Sequence, residues 1–148
     1  MWQSVIAILG TLAGASVTAW FQQRGQRAER AATAAAAHHQ VALDAVTDLI
    51  AALADHRRTM WLREAARLAG ADWTALRADS HATRAAITAP TVRVTVLLPA
   101  LAATAQAAAD ATYAMRNATD HTALDAAREE AITATDALTH AAGQILAA

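Results

Sequence analysis

The sequence predicts an all-α protein, and three observations carry that reading. Alanine makes up nearly a third of the 148 residues, and it has the highest helix propensity of any residue. The two poorest helix formers, glycine and proline, number only five and two. Outside one short run, Thr91 to Leu98, β-branched and aromatic residues are too sparse for a sheet. The expected arrangement is an N-terminal transmembrane helix, residues 1–22, followed by a helical domain, residues 23–148.

The first charged side chain is Arg24. Before it, Val5, Ile6, Ile8, Leu9, Leu12 and Val17 give an apolar run between Trp2 and the pair Trp20-Phe21. A helix over that run rises roughly 27 Å, close to the ~30 Å hydrocarbon core of a bilayer. Aromatic residues stand at both ends, where the two interfaces would lie. A cleaved signal peptide fits less well. Nothing basic precedes the run, and bulky residues rather than small ones follow it. A buried helix of a soluble domain is the third alternative. Arg24, Arg27 and Arg30 follow directly, and positive flanks stay cytoplasmic. The expectation is a single-pass protein of the cell membrane, with the lipid bilayer as a partner and the C-terminal domain in the cytoplasm. Gly10 and Gly14 form a small-residue pair extended by Thr18, a pattern that lets two helices approach closely in lipid.

Beyond the anchor, Leu43, Val46, Ile50, Leu53 and Met60 recur at three- and four-residue steps, with Arg57 occupying one step. That spacing predicts an amphipathic helix over 24–69. Gly70-Ala71-Asp72 reads as a turn, with Gly70 past one helix end and Asp72 capping the next. A second helix is expected over 73–116, with a seam through Trp73, Leu76, Ser80, Thr83, Ile87, Val94, Leu98, Leu101, Ala105, Ala108 and Met115. Pro90 and Pro99 should each kink or break it. The two helices have nearly equal length and predict a long antiparallel hairpin, roughly 65 Å from base to turn. Asn117 to Asp120 is the next break, and Thr122 to Asp125 resembles a capping box. The shorter third helix carries Leu124, Ala131, Leu138 and Ile145 on one face. It is too short to reach the hairpin tip. The alternative is a compact four-helix bundle with a break at Pro90.

The composition excludes several functions. The formal net charge of −1 gives no electrostatic footprint for nucleic acid, so direct nucleic-acid binding is not expected. Without cysteine there is no disulfide or thiolate metal site. Six histidines are present, but neither Glu-x-x-His nor His-Glu-x-x-His occurs. His38 and His39 point to different faces, and Asp136 with His140 is only a pair. No metal and no cofactor is expected. No nucleophile motif or phosphate loop is present, so the reading is non-catalytic. The richest cluster is Arg57, Arg58, Trp61, Arg63 and Arg67 with Trp73 across the turn. Its residue types suit contact with a partner protein, or a solvated plug at the end of the hairpin. A tip without a third helix, a seam made largely of alanine and the glycine pair together predict a homo-oligomer.

The stretch Ile6-Ala7-Ile8-Leu9-Gly10-Thr11-Leu12-Ala13-Gly14-Ala15, followed by Trp20-Phe21-Gln22-Gln23-Arg24, resembles the N-terminus of KilB-like proteins. These are small actinobacterial proteins linked to conjugative plasmids and integrated elements. The resemblance covers the first 30 or so residues, and extends in weaker form over His56 to Gly70 and Ser80 to Leu101. It implies a membrane-anchored accessory of DNA spread, in contact with other transfer proteins, rather than the DNA motor. It brings no catalytic residues with it. A holin-like membrane-perturbing protein, or a soluble or secreted helical binding domain with a cleaved leader, are the alternatives.

Overall fold

In the computed structural model, the backbone of residues 2–147 and the side chains of residues 23–27 and 29–147 are described. Four α-helices follow in order: α1 (Trp2–Leu68), α2 (Thr74–Leu97), α3 (Ala102–Ala114) and α4 (His121–Leu146). A single 3₁₀ turn, Pro99–Leu101, joins α2 to α3. No strand occurs among the described residues, and Thr91 to Leu97 lies in α2.

The chain divides into two units, residues 1–40 and 41–148. In the first, every described side chain from Gln23 to Gln40 is exposed, Arg24, Arg27 and Arg30 included. The anchor expectation and the Gly10, Gly14 and Thr18 face rest on residues 1–22, which lie outside the described side chains. Among the described residues, no helix is long and apolar enough to cross a membrane.

The second unit is a four-helix bundle in which successive helices alternate in direction. Residues 41–68 of α1 run up. α2 runs down beside them, with Thr83 at the level of His56 and Arg93 at the level of Asp48. α3 runs up again, so Leu101 and Ala105 share a core with Leu49 while Met115 meets Met60. α4 runs down from Asp125, beside Trp61, to Leu138 and Ala142 in the lower core.

This corrects the extended hairpin. The chain reverses at Leu98, and the expected helix over 73–116 is two antiparallel helices. The break is at Pro99 and not at Pro90. A residue before proline is driven out of the helical region, and Leu98 takes φ −134° and ψ 69°. The Leu101 N–H closes the turn on the Leu98 carbonyl at 2.8 Å. Pro90 sits inside α2 without ending it. The carbonyl it leaves without a donor belongs to Ala86, an exposed residue, where water can serve. The upper end of the bundle does not lack its outer helices either. Leu124 and Ala131 of α4 pack there with Met60 and Met115. The shortage that suggested an uncovered tip is absent.

The buried stripe of α1 is Ala42, Ala45, Val46, Leu49, Leu53, His56 and Met60, while Leu43 is 41 % exposed and Arg57 half-buried. Of the seam expected on α2 and α3, Ser80, Ile87, Val94, Leu98, Leu101, Ala105, Ala108 and Met115 are buried, while Trp73, Leu76 and Thr83 are only half-buried. On α4, Leu124, Ala131 and Leu138 are buried, but Ala142 takes the place expected for Ile145.

The helix ends follow local chemistry. Gly70 adopts φ +68°, its N–H bonds the Arg67 carbonyl, and the Ala71 N–H bonds the Ala66 carbonyl. That pair of bonds is a Schellman motif. Asp72 accepts from the Thr74 N–H at 2.9 Å, although Trp73 holds the cap position of α2. The cap of α4 is Asp120, which accepts from the Ala123 N–H at 2.8 Å. The expected Thr122 box does not form, because Asp125 turns to Trp61. Both capping carboxyls, Asp72 and Asp120, lie below their ordinary pKa, each chiefly because a backbone N–H bonds the ionised form.

Candidate functional site

The arginine and tryptophan cluster divides into an inner and an outer group. The division follows from α1 itself, whose 3.6-residue turn sets Arg63, Glu64 and Arg67 on one arc of the helix and Arg57, Arg58 and Trp61 on another. Arg63, Glu64 and Arg67 turn inward at the upper end of the bundle. Arg57, Arg58 and Trp61 turn outward.

The inner group ties α1 to α2 and to the loop after α3. Arg63 is buried, and its Nη1 donates to Ser80 Oγ at 3.2 Å. Its guanidinium lies 5.3 Å from the Trp73 ring centre, and that of Arg77 lies 5.8 Å from the same ring. Such stacking suits a planar, weakly hydrated cation. Glu64 is fully buried and accepts from Arg67 Nε at 2.7 Å and from the Asn117 N–H at 3.2 Å. Asn117 presents that N–H from a left-handed backbone, φ 63°. Arg67 also donates to the Ala118 carbonyl. Glu64 Oε1 stands 3.6 Å from Arg63 Nε, outside hydrogen-bond reach, and each of these two atoms is buried without a partner. Burial lowers the basicity of Arg63, and the Glu64 charge opposes that effect.

Below this lies a buried polar set that the sequence reading placed in no site. His56 is 2 % exposed, its Nδ1 is 2.9 Å from Thr83 Oγ1, and its ring meets Tyr113 edge-on at 5.6 Å. Arg84 stacks on Tyr113 at 4.2 Å. Burial, reinforced by Arg84 and Arg63, pushes the His56 pKa down from 6.5 to about 4. The Thr83 hydroxyl already donates to the Asp79 carbonyl at 3.0 Å, so it accepts from His56. No base is therefore aimed at the hydroxyl, and the pair is not an activated nucleophile.

The outer group lines an open groove of about 540 Å³ between α1 and α4. Its walls are Asp55, Arg57, Arg58, Trp61 and Leu62 from α1 and Arg128 from α4. The Trp61 ring is held by its Nε1–H, which donates to Asp125 at 3.2 Å. Arg57 Nη1 is buried and has no hydrogen-bond partner. Across the ridge formed by Arg58 and Leu62 lies a second open groove, of about 330 Å³, between α1 and α2. Its lining includes Asp55, Thr59, Leu76 and Asp79. Trp73 and Arg67, expected beside the others, stand with the inner group and line neither groove.

Among the described residues no three metal-ligating side chains converge. His140 pairs with Gln144 at 3.0 Å rather than with Asp136. Arg128 was missed in the sequence because it joins the groove only through the packing of α4 on α1. Glu64 and Ser80 were not read as partners. The phase of the buried stripe on α1, carried on from His56 and Met60, would have shown Glu64 facing inward.

Residues 43–146 match the family model described as KilB plasmid transfer protein. The chain belongs to the KilB family. It is 48 % identical to a protein named KilB from Streptomyces lividans over 144 residues, which is 95 % of this chain and 95 % of that relative. No solved structure matches the chain. The family match covers both groups of the cluster and all four helices of the bundle, so the resemblance seen at the N-terminus extends through the folded domain.

Proposed function

We propose that the protein is a membrane-anchored, non-catalytic helical accessory of a mobile genetic element, supporting conjugative plasmid spread through self-association and protein contacts. The observation that carries this reading is the family match over residues 43–146, whose model is described as a plasmid transfer protein. The near full-length identity to KilB of Streptomyces lividans supports it. The buried polar residues act as ties between helices, and the open grooves at Arg58 and Leu62 offer surface for contact rather than an enclosed site for a substrate. The apolar run ending at Phe21 supports the anchor, and Arg24, Arg27 and Arg30 support a cytoplasmic bundle. Gly10, Gly14 and Thr18 form the face through which anchors would pair.

The test has two arms. Carbonate extraction of membranes, with reporters fused to the C-terminus, should leave the chain in the membrane with its bundle inside. Leu9→Arg should impair insertion, since a mid-span arginine costs ~2.5–3.5 kcal/mol on insertion scales. In mating experiments, deletion of the coding sequence should reduce plasmid spread, and the wild-type chain should restore it. Release of the chain by carbonate would overturn the anchor. Undiminished spread would overturn the transfer role.

A further inference from the structure

We infer that the outer face of α1 from Asp55 to Leu62 binds a second copy of this chain, side by side and parallel, about a two-fold axis running along α1 through Leu62. The inference rests on the self-association reading above and names the surface. Leu62 is 40 % exposed on the ridge between the two grooves. On the α4 side the groove carries Arg57 and Arg128. On the α2 side it carries Asp79. Arg58 and Asp55 line both. One flank of the ridge is therefore basic and the other acidic, with apolar Leu62 between them and Leu76 and Trp61 set into the two walls.

Such a surface is complementary to itself. A two-fold interface brings one patch against its own copy, so each contact occurs twice. An axis along α1 exchanges left and right. It sets the basic flank of one copy against the acidic flank of the other, Arg128 and Arg57 facing the second copy's Asp79. Leu62 meets Leu62 at the axis. An axis across α1 would set arginine against arginine, so charge selects the parallel arrangement. The same arrangement points residues 41–68 of both copies the same way, as two chains anchored in one membrane require. Arg57 Nη1, buried without an acceptor, lies on the flank where the incoming carboxylate would arrive. Asp125 and Glu129 also stand on α4, but neither lines the groove, whose charged walls are Asp55, Arg57, Arg58 and Arg128. Asp125 is engaged with Trp61 at 3.2 Å, and Glu129 reaches Arg128 only at 3.9 Å, with both side chains about half or more exposed.

The experiment uses the full-length chain in detergent micelles, carrying Gly14→Leu so that pairing of anchors does not mask pairing of bundles. Under mild oxidation, Leu62→Cys should cross-link to itself, whereas Ala137→Cys on the exposed side of α4 should not. In sedimentation, Asp79→Arg or Arg128→Glu alone should weaken association at least about tenfold, because each places like charges opposite one another twice. Mixing the two variants should restore it, because both contacts are then complementary in the heterodimer. All four positions are solvent-exposed, and helical circular dichroism should be unchanged. Failure of Leu62→Cys to cross-link, or failure of the mixture to recover, would overturn this face. Oligomers that persist after either failure would leave the self-association reading standing, so the two outcomes are separable.

Discussion

Glu64 and Arg67 form a 2.7 Å ion pair one helical turn apart, in which the carboxylate is wholly buried and the guanidinium is 30 % exposed. The pair links α1 to the loop after α3, because Glu64 also takes the Asn117 N–H and Arg67 also reaches the Ala118 carbonyl. Glu64→Ala should destabilise the bundle by about 3–5 kcal/mol, the cost of removing one partner from a buried pair. Glu64→Gln, which keeps an acceptor for Asn117, should cost less. Urea titration of the three chains orders them, and equal stability of Ala and wild type would contradict the link.

The stability of the bundle should fall in mild acid through His56. Its pKa drops from 6.5 to about 4 on folding, with burial the first cause and Arg84 and Arg63 the next. Between those values the unfolded chain takes up a proton that the folded chain refuses. Stability from this group is complete above the unfolded value. It is lost as pH falls toward the folded one, to a limit of about 3 kcal/mol at 1.36 kcal/mol per pKa unit. Denaturation from pH 7 to pH 4 measures the slope. His56→Gln should flatten it, whatever its effect on stability at neutral pH.

Leu53 and Leu98 fill one core from opposite directions, at 0 % and 9 % exposure. Truncation of either to alanine should cost about 2–4 kcal/mol, with the larger loss where the surroundings collapse least. Leu43→Ala on the same helix should be nearly silent. Thermal or urea unfolding of the three variants distinguishes the observed stripe from the one read off the large residues.

Gly70 has open space where a Cβ would stand, yet its backbone is left-handed. Gly70→Ala should therefore cost about 1 kcal/mol through the backbone alone, and Gly70→Asn less, since asparagine tolerates that conformation. Stability measurements decide this directly. A loss far above that range would point to contacts at the turn instead.

The seam from Ser80 to Met115 was legible because Ile87, Val94, Leu98 and Leu101 recur at core spacing, although Val92 and Val96 beside them are exposed. α1 was harder. Its core begins with Ala42 and Ala45, which mark no face, while Val41, Leu43 and Leu62 are large and exposed. Choosing the bulky residues turned the helix by about one position. The reversal at Pro99 was hidden for a related reason. The seam keeps its phase across Leu98, yet an unbroken period reports only that both helices face the core, not that they run in the same direction. The site was legible as a set of residue types around Arg57 to Trp73. Its division was not, because the inner residues are chosen by Ser80 and Asn117 and the outer ones by Arg128, all distant in sequence.

The reversal at Leu98 also sets the order in which the bundle can assemble. It turns what would be one long helix into a neighbour pair, so α2 packs on α3 and α3 on α4, each next to the other in the chain. Topologies dominated by such local pairings have low contact order and fold within microseconds to milliseconds. The contact of α4 with α1 is of a different kind, since Trp61 and Asp125 are 64 residues apart. Closing that seam carries the largest loop entropy and should come last. The edge of the bundle that holds the basic groove is therefore also the edge at which it should first open, with amide exchange along the start of α4 faster than in α2 or α3.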